Sequence, residues 1–112
     1  MRILVTGSTG FIGSRLVHFL ENQHEVHQLV RYIAGGRYSF YGKPRVHFAD
    51  LRDHDAVLEA VTASRPEIIV HLAADSAVSF SFNRPSDVFS VNALGTIHLA
   101  RAAMLLASSL KL

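Results

Sequence analysis

The sequence has no cysteine and no tryptophan, and only three prolines and two lysines among its 112 residues. The lack of cysteine excludes a disulfide framework, a thiolate zinc site and a cysteine nucleophile. No apolar run approaches the ~18 residues that a membrane span needs. The opening Met1-Arg2-Ile3-Leu4-Val5-Thr6-Gly7 is also too short in apolar residues for the hydrophobic region of a secretory signal. A cytoplasmic location without membrane contact is therefore expected. Charge of one sign is scarce too: the formal net charge is +2. The pI near 9.4 points towards nucleic acid, but the nine arginines are scattered from Arg2 to Arg101. A nucleic-acid surface masses its basic residues on one face, so none is expected here. The seven histidines show no HExxH or paired spacing, and no metal site is expected.

What is present is a globular composition, 49% hydrophobic and 18% charged. The length fits one small domain, which buries roughly two-thirds of its unfolded surface. Short apolar runs alternate with helical patterns. Residues 2–6 form a run that ends at a glycine. Residues 11–22 place Ile12, Leu16, Val17 and Leu20 on one helical face. Residues 25–30 return to strand character, and 31–44, with three glycines and all three tyrosines, read as a loop. Residues 45–48 are a short strand. Asp53 is placed to cap a helix over 54–63 with Val57, Leu58 and Val61 inward. Residues 67–72 are apolar nearly throughout, as a strand buried on both faces requires. Pro85 is placed to open a last helix, with Asp87 near its positive end, running to about residue 107.

Strands that alternate with helices need crossover connections, which produce a parallel sheet covered on both faces. The expectation is an α/β fold of the Rossmann type, a doubly wound parallel sheet left incomplete at about four strands and three helices. Such a unit normally continues after its last helix, so residues 1–112 read as the front part of a larger domain.

Thr6-Gly7-Ser8-Thr9-Gly10-Phe11-Ile12-Gly13 lies between the first strand and the first helix. A glycine at 7 permits the sharp turn, one at 10 lets a pyrophosphate approach the backbone, and one at 13 lets the helix pack closely. Backbone N–H groups and the positive helix end then hold the phosphates. A triphosphate loop needs Gly-Lys-Ser/Thr, and Gly13-Ser14-Arg15 does not supply it. The cofactor expected is an adenine dinucleotide. Many NAD sites carry an acid after the second strand for the ribose hydroxyls. Arg31 stands there instead, and a guanidinium pairs with a 2′-phosphate. NADP is favoured over NAD, with Arg37 as an assistant. The alternative is a solvated Arg31, or one stacked on adenine.

The block MRILVTGSTGFIGSRLVHFLENQHEV, with its TGxxGxxG spacing, resembles the extended short-chain dehydrogenase/reductase family, the NAD-dependent epimerase/dehydratase group. Ala49-Asp50-Leu51-Arg52-Asp53, His71-Leu72-Ala73-Ala74 and Val91-Asn92-Ala93-Leu94-Gly95-Thr96 agree in order and spacing. The resemblance covers about residues 1–104. It implies that Gly7, Gly10, Phe11, Ile12 and Gly13 line the pyrophosphate. It implies that Asp50 and Leu51 lie by the adenine, with the Asp50 carboxylate accepting from the amino group. Ala73 and Ala74 would flank the nicotinamide-side ribose, and Asn92 would steady the neighbouring strand. Ordinary alternatives are a helix-entry acid for Asp50, a solvated helix residue for Asn92 and plain packing for the two alanines.

Relatives in this family carry a catalytic Tyr-x-x-x-Lys pair. Here the tyrosines are at 32, 38 and 41 and the lysines at 43 and 111, so no such pair exists and no catalytic residue is assigned. Ser108 and Ser109 precede the place where the family's catalytic Ser/Thr falls. Ser79 is a weak candidate for a substrate contact. The segment MLLASSLKL after Ala103 departs from the family course. The function expected is the NAD(P)-binding part of a nucleotide-sugar epimerase, dehydratase or reductase, with the substrate domain absent. A non-catalytic dinucleotide sensor and an inactive fragment are the competing classes. With an exposed fourth-strand edge, the chain is expected to be marginal, aggregation-prone or dimeric through that edge, a homo-oligomer being one outcome.

Overall fold

The computed structural model describes residues 1–31, 45–73 and 90–110. Its elements are β1 (Arg2–Thr6), α1 (Phe11–Leu20), β2 (Glu25–Val30), β3 (Val46–Phe48), α2 (His54–Ser64), β4 (Ile68–His71), a π-helical turn (Ser90–Leu94) and α3 (Gly95–Leu110). The four strands form one sheet in the order β3-β2-β1-β4. Every pairing is parallel, with Thr6 opposite both Leu29 of β2 and His71 of β4.

The path from β1 to β2 moves one way across the sheet, and the path from β3 to β4 moves the other way. Crossovers of one hand place helices from opposite moves on opposite faces. The two cores have that arrangement. Ile3, Val5 and Val26 pack with Val17 of α1. Leu4 and Leu29 pack with Val57, Ala60 and Val61 of α2 and with Leu99, Ala102 and Leu106 of α3. The point where the strand order reverses lies between β1 and β4. Crevices at such a point, beyond the carboxyl ends of the strands, are where doubly wound sheets bind ligands.

Local chemistry fixes the element ends. The Asp53 side chain accepts a hydrogen bond from the Ala56 N–H at 3.2 Å and caps α2, as the sequence predicts. The helix stops at Arg65, in the left-handed conformation (φ 45°), and Pro66 follows it.

Three expectations change. Ile12 is 69% exposed rather than inward, and the buried face of α1 is made by Gly13 and Val17. Strand 67–72 is shorter, Ile68–His71, and only half-buried. Its two faces do reach the two cores, Ile69 into one and Val70 into the other, but β4 is an edge strand among those described. The last helix begins with a π-helical turn at Ser90, which periodicity does not reveal. Its expected start at Pro85 and Asp87 falls outside the described residues.

Candidate cofactor site

Because the sheet is wholly parallel, the segments that follow its strands line one edge. The glycine turn sits in the middle of that edge. Gly7 has φ +73°, and a side chain there would place its Cβ 2.7 Å from the Ala73 nitrogen and the Leu72 carbonyl carbon. At Gly13 a Cβ would overlap the Gly7 carbonyl oxygen. These two glycines are therefore fixed by protein against protein. Gly10 differs: its backbone is extended, and among the described residues a Cβ would meet only the Gly7 oxygen, at 3.4 Å. Among the described residues nothing else lies over Gly10. Gly10 is also the N-cap of α1 and has no side-chain cap. The first N–H groups of such a helix lack intrahelical partners and carry the positive end of its dipole. Beside them, Ser8 Oγ is buried and has no hydrogen-bond partner. A glycine with room above it, the N–H groups of the helix start and an orphaned hydroxyl are groups that suit a pyrophosphate. Phe11 and Ile12, 75% and 69% exposed, flank the mouth, and the Arg15 guanidinium lies 4.5 Å from the centre of the Phe11 ring.

Beyond the ends of β2 and β3 lies a cleft of about 510 Å³, lined by Arg31, Phe48, Ala49, Asp50, Arg52 and Ala56. Arg31 is exposed there. The Asp50 carboxylate is gripped by its neighbour: Arg52 Nη2 donates at 2.6 Å, Nε at 3.0 and 3.2 Å, and the Arg52 backbone N–H at 2.9 Å. The Arg52 guanidinium, bound side-on, holds the Asp50 carboxyl down at about 2. Asp50 is therefore an anion and an acceptor at any physiological pH. Leu51 turns its side chain into the core beneath this cleft, 5% exposed. It packs on Gly95, where a Cβ would come within 2.8 Å, and its carbonyl accepts from His98 Nδ1 at 2.7 Å.

The third part of the edge follows β4. Ala73 touches the glycine turn through the close approach at Gly7. Asn92 is exposed in the π-helical turn, and its carbonyl accepts the Thr96 hydroxyl at 2.8 Å. Ala74, Tyr32, Arg37, Tyr38, Tyr41 and Ser79 lie outside the described residues. The structure thus gathers Gly7, Gly10, Gly13, Arg31, Asp50 and Ala73 along one edge. It adds Ser8 and Arg52, which sequence reasoning missed. Ser8 had no signal beyond its place in the turn, whereas the Asp-Leu-Arg spacing of 50–52 was readable as an i,i+2 pair. Among the described residues no group of His, Asp or Glu is arranged to hold a metal, and no helix is long and apolar enough to cross a membrane.

Comparison with known proteins agrees with this geometry. The sequence profile of the NAD dependent epimerase/dehydratase family matches residues 3–109. A UDP-glucose 4-epimerase of Mycolicibacterium smegmatis is 40% identical over 111 residues, 94% of this chain and 35% of that protein. A CDP-glucose 4,6-dehydratase of Salmonella typhimurium is 32% identical over 104 residues, 88% of this chain and 29% of that protein. Among solved structures, the UDP-glucose 4-epimerase of Thermus thermophilus in complex with NAD superposes with a TM-score of 0.80 at 38% identity. That match covers 96% of this chain and 35% of the epimerase. The chain spans about a third of the length of these relatives. On the family match and these identities together, the chain belongs to the NAD dependent epimerase/dehydratase family.

Proposed function

We propose that residues 1–112 form the adenine-dinucleotide-binding part of an enzyme that acts on a nucleotide sugar. The observation that carries this reading is the space over Gly10, open among the described residues, at the uncapped start of α1. The backbone of Gly10, Phe11, Ile12 and Gly13 holds the pyrophosphate, and Ser8 Oγ gains a partner there. Asp50, kept ionised by Arg52, accepts from the adenine amino group above the floor made by Leu51. Ala73 and Ala74 leave room for the nicotinamide-side ribose, and Asn92 steadies the strand beside it. Arg31, exposed in the adenine cleft, pairs with a 2′-phosphate, so NADP is preferred to NAD. The bound nicotinamide supplies hydride exchange with a substrate carbon. The residues of this chain bind and orient it and keep water from its phosphates.

The substrate class rests on relatives, which include a UDP-glucose 4-epimerase of Thermotoga maritima solved with UDP-glucose. The reading includes a cytoplasmic protein without affinity for nucleic acid, self-associating through the β4 edge. Calorimetric titration of the 112-residue chain with NADP and with NAD tests the proposal. Saturable binding of one or both is expected, and no heat from either overturns it.

A further inference from the structure

The end of β1 is joined to α3 by hydrogen bonds that meet at one imidazole. Thr6 Oγ1 lies 2.6 Å from His71 Nδ1. His71 Nε2 lies 3.0 Å from Thr96 Oγ1, and Thr96 donates to the Asn92 carbonyl at 2.8 Å. Thr6 Oγ1 also accepts the backbone N–H groups of Leu72 at 3.1 Å and Ala73 at 3.2 Å, the Leu72 N–H being shared with the Thr6 carbonyl oxygen at 3.2 Å. Those two residues form the wall that crowds Gly7.

Counting donors fixes the protons. A hydroxyl oxygen has two lone pairs and one hydrogen. The lone pairs of Thr6 are used by Leu72 and Ala73, so its hydrogen goes to His71 Nδ1. That nitrogen is then the acceptor, and Nε2 carries the hydrogen. The Thr96 hydroxyl has already given its own hydrogen to Asn92, so it receives the one on Nε2. Every group is satisfied with His71 neutral and protonated on Nε2 alone. A second proton on Nδ1 makes Thr6 Oγ1 an acceptor from His71 and leaves it one lone pair for two amides. Either Thr6 Oγ1 gives up one of the two amides, with Leu72 left on the Thr6 carbonyl alone, or His71 turns away from Thr6.

We infer that neutral His71 is a positioning residue for the cofactor cradle: through Thr6 and Thr96 it fixes the Leu72–Ala73 wall against the glycine turn, and protonation releases that wall. The inference rests on reading the glycine turn as the dinucleotide site. Among the described residues His71 bonds to Thr6 from β1 and Thr96 from α3. Among the described residues no charged group shifts its titration, and burial alone pushes the imidazole below its usual 6.5. The neutral form is therefore the resting one at neutral pH, and acid is the perturbation.

The test uses the whole chain, NAD as the probe, and the variants His71→Gln and His71→Leu. Glutamine keeps one acceptor and one donor but does not titrate in this range, whereas leucine keeps neither. On going from pH 7.5 to pH 5.5 the parent protein should lose NAD affinity about three-fold or more, the sense required when only the neutral form holds the cradle. His71→Gln should bind at pH 7.5 as the parent does and show no acid loss. His71→Leu should bind weakly at both. An acid loss retained in His71→Gln, or full affinity in His71→Leu, overturns the inference. Nitrogen-15 imidazole shifts give a second readout that needs no cofactor. They should show the Nε2–H tautomer with a midpoint below 6.5, and an Nδ1–H tautomer or an unshifted midpoint also overturns it. If neither parent nor variants bind NAD while the shifts are as stated, the dinucleotide reading fails and the hydrogen-bond assignment stands.

Discussion

At the scale of single residues, the edge of the sheet separates two kinds of glycine. Gly7 and Gly13 are demanded by the protein itself, since a Cβ at either meets backbone. Gly10 is not: among the described residues its Cβ position meets only the Gly7 oxygen, at 3.4 Å. Two residues of the cleft beyond β2 and β3 give measurable predictions. Arg31→Ala should weaken NADP more than NAD, because a charge-assisted hydrogen bond to phosphate is worth roughly 1.5–3 kcal/mol. Equal loss for both cofactors in a competitive titration contradicts the assignment of Arg31. Arg52→Gln should return the Asp50 carboxyl from about 2 towards its ordinary 3.8, followed by carboxyl carbon shifts. The sign follows from linkage: a carboxylate with a depressed folded-state pKa contributes stability in full above about 3.8, lost as pH falls towards 2. The parent should therefore hold this contribution to lower pH than the variant.

At the scale of elements, stability is distributed unevenly. Helix α2 is closed at its start by Asp53, and Asp53→Ala should cost about 1 kcal/mol, read as a lower urea midpoint with an unchanged slope. An unchanged midpoint contradicts the cap. Strand β3 has only three residues and is held to β2 partly by a bond of 2.9 Å between His27 Nδ1 and His47 Nε2, with Glu25 on the far side of His27 at 2.8 Å. Burial, and then the charge of His27, push the His47 imidazole below 6.5. Its contribution to stability is thus complete at neutral pH and is lost as pH falls below 6.5. Hydrogen exchange at 46–48, corrected for intrinsic rate, should accelerate from pH 7 to pH 5.5 relative to β1. Equal protection at both contradicts it. The Asp53 cap, the glycine turn and all four strands were legible in the sequence, because each is a local pattern of spacing and residue type. The outward turn of Ile12, the partial burial of β4 and the Thr6–His71–Thr96 bridge were not. Each depends on what lies across the sheet, and Thr6 and His71 are 65 positions apart.

At the scale of the whole molecule, β4 is the edge of the sheet among the described residues. Ile68 and Leu72 are 39% and 40% exposed along β4, and an apolar edge of this kind is a template for pairing. The chain should self-associate, with sedimentation showing a mass that rises with concentration. A monomer at all concentrations, with strongly protected amides at 68–71, contradicts this. It should also give no turnover with nucleotide sugars, since it has no Tyr-x-x-x-Lys pair, and turnover that persists through removal of contaminating enzymes contradicts that. The claim beneath all of these is that the turn at 7–13 is a dinucleotide cradle, and Gly10→Val tests it most directly. The backbone at Gly10 suits any residue and a Cβ has room, so the variant should fold with a loss of about 1 kcal/mol from the poorer N-cap. Its side chain stands where the pyrophosphate approaches. Calorimetry with NADP and NAD should show binding to the parent and none to a folded Gly10→Val, and affinity unchanged by the substitution contradicts the account.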